Sequence, residues 1–329
     1  MNARTLLVAF TLVVLTLLIW QLRWVLLVLF GAVVLAVALD VLIHQLQKRT
    51  NWQRPLSLAV VLLALLIGGV VVWQQLVPEL ITQIEQLAED LPMLMAKLGS
   101  MLGENPVLMD LETSFSWNQL RPLGTQLLGF AGGAANSLIQ VFLMSLLAVL
   151  LTLDPASHRR MVLAGTPRPA REEVAELLDR CRLALGGWLA GMTLSAVAVF
   201  LLTWAGLILL GAPLALLSAL VCGMLTFVPT IGPTAATLLP VGLALLVSPT
   251  LTLQVLVLRL VLQNLEAFLM TPLLLRRTVN LLPTVALMAQ LSLGALLGIP
   301  GLLLALPLVV VLQVGMQEVV VKQIMDRWS

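Results

Sequence analysis

Apolar residues run along this chain in long uncharged stretches separated by short polar segments. Residues 55–73, 122–153, 183–258 and 278–317 contain no Asp, Glu, Lys or Arg. A membrane-crossing helix needs about 20 apolar residues, so the two longest stretches each hold several segments. Near the start, apolar runs at 5–20 and 24–43 are separated only by Gln21-Leu22-Arg23. No small-residue cleavage site follows the first run, so it does not read as a secretory leader. The two runs predict a tight helical hairpin. The pattern as a whole predicts an all-α, polytopic helical membrane protein.

The polar segments divide the chain. Residues 1–76 read as N-terminal transmembrane helices and 77–133 as an acidic, amphipathic extracytoplasmic segment. Residues 134–153 read as a transmembrane helix and 154–186 as a cytoplasmic amphipathic segment. Residues 187–317 read as a transport core, and 318–329 as a cytoplasmic tail. Sidedness follows from Lys and Arg in short loops, which stay inside. They cluster at 44–54, at 154–182 and at Arg276 and Arg277, whereas 77–133 holds only Lys97 and Arg121 against a run of acids. Both termini are therefore expected in the cytoplasm. Trp20, Trp24, Trp73, Trp188 and Trp328 fall near predicted span ends, where indole rings favour the interface.

Both polar segments carry helical patterns. Pro78 reads as a helix start, and Leu80, Ile84, Leu87, Leu91, Leu94, Leu98 and Met101 then step alternately by four and three, a heptad stripe. Pro92 predicts a break or kink within it. The stripe suits a helix lying on the bilayer or on its own membrane domain, or a subunit contact. After Pro169, Val174, Leu177, Leu178, Cys181 and Leu185 share one helix face. Glu176 and Arg180 form a favourable i, i+4 pair on the other.

Composition narrows the function. Only 10% of residues are charged and 60% are hydrophobic, where a soluble domain is about a quarter charged. A net charge of +2 leaves no basic footprint for nucleic acid. Cys181, Cys222, His44 and His158 make neither a disulfide framework nor a metal motif. No Walker A loop and no Ser-His-Asp constellation is present. The expectation is no enzyme, no cofactor and no metal.

The second half contains an internal repeat. A span at 187–210 is followed by Pro213, which opens an apolar arm reaching Phe227-Val228-Pro229-Thr230-Ile231-Gly232-Pro233; a second arm runs to Val247. A span at 251–270 is followed by Pro283, which opens an arm reaching Gly298-Ile299-Pro300-Gly301; a second arm runs to Gln313. An arm from 213 to 228 makes about 24 Å of helix, short of a core about 30 Å thick. Two Gly/Pro-broken, re-entrant hairpins fit better than full spans. The first half begins inside and the second outside, so the repeat is inverted. Such breaks either allow tight packing or, paired in inverted halves, mark a transporter's binding site; their matching positions favour the second.

Arg259 and Glu266 alone interrupt the apolar sequence between 183 and 270. Each would cost roughly 2.5–3.5 kcal/mol at a span centre. Arg259, Gln263 and Glu266 share one helix face at i, i+4, i+7, with Asn264 beside them. The stripe either lines a solute pathway or clamps two helices. In a pathway, Glu266 would take up and release a proton or accept bonds from a hydroxylated solute, and Arg259 would hold an anionic group. Gln290 and Ser292 would complete the lining. Asp40, near the inner end of the second span, reads as interfacial. Candidate pathway residues are thus Glu266, Gln263, Asn264, Arg259, Gln290, Pro229, Thr230, Gly232, Pro233, Gly298, Pro300 and Gly301.

The Phe227–Pro233 run, Gln263-Asn264-Leu265-Glu266 with Pro272, Pro283, and the run from Leu293-Gly294 through Gly298-Ile299-Pro300-Gly301 to Pro307 resemble, in order and spacing, the autoinducer-2 exporter family of bacterial permeases. The resemblance spans nearly the whole chain, with Asp40 a departure where relatives often carry proline. It implies an inner-membrane protein of about eight membrane segments, a homo-oligomer, exporting small molecules such as autoinducer-2. Some members are associated with Na⁺/H⁺ antiport. The expectation is a secondary exporter of a small polar solute, coupled to H⁺ or Na⁺; a non-transporting membrane scaffold is the remaining alternative.

Overall fold

In the computed structural model, described for residues 20–102, 134–228, 232–270, 282–318 and a few positions between 10 and 18, every regular element is a helix. The helices are α1 (Arg23–Thr50), α2 (Arg54–Leu102), α3 (Ala134–Leu153), α4 (Pro155–Ala164), α5 (Arg171–Leu209), α6 (Ala215–Leu225), α7 (Gly232–Val247), α8 (Pro249–Leu265) and α9 (Pro283–Gly315). A wide π turn, Glu266–Met270, ends α8. Among the described residues, five helices are long and apolar enough to cross a membrane, and a sixth counts if α3 and α4 are taken as one bent span. Ala215–Leu225, Gly232–Val247 and Thr284–Gly298 are shorter apolar helices. Large side chains such as Leu66, Trp73, Phe142 and Leu253 point outward from the long helices, as a bundle solvated by lipid requires.

Several expectations change. No tight hairpin turns at 21–23: the backbone departs from helical geometry at Leu22 (φ −87°, ψ 3°), but Leu22 N–H still bonds Leu18 O and Leu26 N–H bonds Leu22 O, which leaves a kink and not a reversal. Gln-Leu-Arg supplies none of the Gly, Pro or Asn chemistry that a tight turn needs. Arg23 instead lies over the Trp20 ring, 4.4 Å from its centroid. Pro78 does not start a helix, and Pro92 does not end one, because α2 runs for 49 residues through both. The heptad stripe holds it. Leu80 and Leu87 pack on Leu214, Leu217 and Leu243 of the α6–α7 region, and Leu94 lies against Gly242. The stripe thus covers the protein's own membrane domain. The rest of the acidic segment, 103–133, lies outside the described residues, as do Trp328, Arg276 and Arg277.

The same α2 stripe positions α6. Leu214 precedes α6 at φ 50°, a left-handed conformation that costs a branched residue energy, and it supplies no cap. Gln83 of α2 does so instead: its Oε1 accepts from Leu217 N–H at 2.9 Å. An otherwise orphaned donor of the first turn is thereby satisfied from a neighbouring helix.

Trp188 is not at an interface. It is 3% exposed and packs with Met192, Ala286, Leu306 and Val310, joining α5 to both arms of α9. Nor are there two equivalent short hairpins. Among the described residues, the one apolar helix pair that is membrane-length taken together and bent sharply across a short break is α3–α4, at 88°. There Asp154 caps Ser157 N–H and Pro155 occupies the first turn, a stop-and-start signal. The break at Gly298 leads into an arm, Pro300–Glu318, that is itself membrane-length.

Asp40 is a buried node. It accepts from Arg54 Nη2 at 2.6 Å and from Arg182 Nε at 2.9 Å. Arg54 Nε also donates to Thr152 O at 3.1 Å. One carboxylate thus ties α1, α2 and α5 together, with α3 joined through Arg54. Nearby, Arg180 pairs with Glu176 and with Glu318 at the end of α9. This end of the bundle carries the arginines; the turns before α6 and α8 lie at the other.

Candidate functional site

Polar side chains meet between α5 and α8. Arg259 is 2% exposed, and its Nη1 donates to Thr203 Oγ1 at 2.9 Å. Two turns along α8, Glu266 Oε1 accepts from Ser195 Oγ at 3.4 Å. Arg259 and Glu266 are seven residues apart on α8; Thr203 and Ser195 are eight apart on α5 and run the opposite way. The two helices are therefore antiparallel, joined by a polar seam inside otherwise apolar spans. Close approach of α8 to α5 comes from Gly206, where a Cβ would sit 2.7 Å from Leu258 Cδ2, and close approach of α6 to α5 from Gly223, where it would sit 2.9 Å from Phe200 Cβ.

No carboxylate forms an ion pair with Arg259 among the described residues. Its Nε is buried and has no hydrogen-bond partner there. Arg259 and Glu266 thus share a seam but do not pair. At Glu266 the backbone passes into the π turn Glu266–Met270. Such turns widen a helix and leave its hydrogen-bond ladder irregular, frequently at functional positions.

The two Gly/Pro breaks are each closed by local backbone contacts. Gly232 N–H bonds Val228 O at 2.8 Å as the chain turns from α6 into α7. A Cβ on Gly232 would fall 1.9 Å from Leu225 O. Pro233 follows in the first turn of α7, and its carbonyl accepts from Thr237 Oγ1 at 2.9 Å. At the second break, Gly298 adopts φ 65°, ψ −150°, a conformation essentially reserved for glycine. Pro300 is exposed just beyond it. A Cβ on Gly301 would fall 2.2 Å from Leu293 O. Each break therefore closes on a glycine pressed against a carbonyl of the preceding arm.

Gln290 joins α9 to the first break. It is 2% exposed, and its Nε2 donates to Phe227 O at 3.1 Å, in the turn after α6. Its Oε1 is buried without a partner among the described residues. Gln263 is half-buried on α8. Asn264 is not brought into the seam: it is exposed, and its Nδ2 bonds back to Leu260 O at 2.7 Å. Ser292 is also exposed. Pro229 and Thr230 lie outside the described residues.

Ser195 and Thr203 were not singled out from the sequence. Their signal is present there: two hydroxyls eight residues apart, on one face of an uncharged span. The partner carbonyl at Phe227 and the unpaired atoms of Arg259 and Gln290 leave no mark in the sequence, because they depend on how helices distant along the chain meet. No group of three or more His, Cys, Asp or Glu able to hold a metal ion occurs among the described residues.

Comparison with known proteins follows the same outline. The family profile described as "AI-2E family transporter" matches residues 9–320. A Bacillus subtilis (strain 168) protein with the description "Putative transport protein YrrI" is 24% identical over 275 residues, covering 80% of this chain and 78% of the relative. Another from the same organism, "Putative transport protein YueF", is 22% identical over 239 residues, covering 72% of this chain and 65% of the relative.

Proposed function

Because the chain belongs to the AI-2E transporter family, a class of membrane transporters rather than enzymes, we propose that it is a secondary exporter of a small polar solute of the autoinducer-2 kind, driven by protons through Glu266. The observation that carries this reading is the α5–α8 seam, where two ionisable side chains within a membrane-length helix each meet a single hydroxyl. A salt-bridge clamp would pair charge with charge. Among the described residues Arg259 keeps a buried, unpaired Nε, and Gln290, beside the first break, keeps a buried, unpaired Oε1. A donor and an acceptor left over in this way suit a solute bearing both hydroxyl donors and oxygen acceptors.

On this reading the arginine-rich end faces the cytoplasm of the inner membrane and the α7–α8 turn faces outward. The halves 187–247 and 251–313 approach the seam from opposite sides as an inverted repeat. Their irregular backbone at Gly232 and Gly298 is tolerated at membrane depth because protein or a cavity covers it. The working unit is a homo-oligomer, as the resemblance implies. One proton crossing 100 mV supplies about 2.3 kcal/mol, enough for roughly a 40-fold solute gradient at about 1.4 kcal/mol per decade.

Internal pH in proteoliposomes tests this. Glu266→Gln keeps the oxygen that accepts from Ser195 but removes the proton-carrying group. Wild-type protein is expected to move protons when an autoinducer-2 gradient is imposed, and the variant is not. A wild-type response to Na⁺ alone would make it a Na⁺/H⁺ antiporter instead. Full coupling in the variant would remove Glu266 from the proton path. As a companion prediction, Arg259→Met should leave the fold intact, since it fills the same volume with apolar atoms, and weaken solute binding by tenfold or more. Radiolabelled-solute binding to the purified protein measures it.

A further inference from the structure

The arginine-rich end of the bundle holds a polar assembly that the transport site does not use. A cavity of about 290 Å³ opens beside the Asp40 node, between α1, the α3–α4 bend and α5. Val33, Val37, Leu151 and Val162 form apolar wall, while Arg54, Arg159 and Arg182 face it opposite Asp40 and Asp179. Three guanidinium groups against two carboxylates leave one positive charge in excess. Donors are also in excess. Arg54 uses Nε and Nη2, Arg182 uses Nε and Nη2, and Arg159 uses Nη2 alone, toward Asp179 and Ala175 O. A guanidinium carries five donors. The side chains of Arg159 and Arg182 are 42% and 44% exposed, so their unused donors are within reach of a ligand.

The shape is amphipathic in the direction a membrane sets. Val33 lies seven residues before Asp40 on α1, about 10 Å along the helix axis, so the apolar wall extends from the charged rim toward the bilayer centre. α4 turns 88° away from α3, which lays it along the membrane surface when α3 stands upright. There it presents exposed Met161 and Val162 beside Arg159 and Arg160. Basic pockets between helices at this depth suit anionic headgroups, and guanidinium matches a phosphate through paired hydrogen bonds.

We propose that this cavity binds an anionic glycerophospholipid, its phosphate held by Arg159 and Arg182 and one acyl chain lying along Val33 and Val37. A lipid there would bridge α4, α5 and α1 beside the Asp40 node.

Native mass spectrometry of the full-length protein in mild detergent tests this with phosphatidylglycerol and phosphatidylcholine. Phosphatidylglycerol should be retained and phosphatidylcholine should not. Arg159→Gln should weaken phosphatidylglycerol binding about fivefold, the effect of one basic residue near a membrane surface. Arg160→Gln removes the same charge from the same helix, but Arg160 donates to Ser157 and does not line the cavity; it should leave binding unchanged. Equal retention of both lipids, or equal loss in both variants, would overturn the proposal. Displacement of phosphatidylglycerol by equimolar inorganic phosphate would also overturn it, making the site one for free phosphate-bearing solutes.

Discussion

Alanine at Gly232 or at Gly301 is expected to destabilise the protein by about 3 kcal/mol or more and to abolish solute movement. The added Cβ would sit 1.9 Å from Leu225 O in the first case and 2.2 Å from Leu293 O in the second. Both are main-chain atoms, so no rotamer change relieves the overlap. The turn from α6 into α7, or the second arm of α9, must move bodily. Gly298→Ala tests a different cost. Its Cβ meets nothing within 4 Å, yet φ 65° with ψ −150° strains any L side chain, at about 1–3 kcal/mol. Gly68→Ala and Gly69→Ala are the controls. They lie inside α2 with nothing within 4 Å, so alanine there should be neutral or stabilising by up to about 1 kcal/mol. Denaturant titration in detergent, followed by far-UV ellipticity, ranks the variants. Equal stability of Gly232→Ala and Gly68→Ala would show that the break accommodates a methyl group.

Asp40→Ala carries the second large effect, a loss of about 2–3 kcal/mol and separation of the helices at the arginine-rich end. Breaking a fully buried ion pair costs about 3–5 kcal/mol. The figure is lower here because the arginine side chains are 25% and 44% exposed and regain water. Two pairs are lost together, since Arg54 and Arg182 both depend on this carboxylate. Asp40→Asn keeps the volume and one acceptor oxygen and should lose about half as much. A cysteine pair reporting the distance between α1 and α5 would separate the two consequences. Loss of stability with an unchanged distance would make Asp40 a source of stability without a hand in helix placement.

Much of this architecture is legible in the residues, for identifiable reasons. Lipid cannot satisfy backbone polar groups, so long uncharged stretches become helices, and α1, α5 and α8 lie close to where the pattern puts them. The Gly and Pro at 232–233 and 298–301 mark where helices stop, because Pro lacks the N–H and Gly tolerates the turn. Pro78 and Pro92 misled for a related reason. A lost hydrogen bond costs a few kcal/mol, and the packing of Leu80, Leu87 and Leu94 on the core, with Gln83 capping α6, outweighs it. Trp188 misled because an indole ring is as much an apolar filler as an interface anchor, and only the arms of α9 decided between them.

The candidate site divides along the same line. Arg259 and Glu266 stand out from sequence because charge is expensive in an apolar span, and their spacing puts them on one face. The sequence alone thus determined an all-helical membrane protein, its two breaks and its deep ionisable pair. Tertiary structure decided that Thr203 and Ser195 receive those groups, that Arg259 and Glu266 do not pair, and that Gln290 reaches the first break. It also made Asp40 the joint of the arginine-rich end. These are contacts between residues 14 to 142 positions apart. Local pattern constrains what one helix presents, but contacts of this kind depend on the approach of a second helix, which is set by packing over the whole bundle.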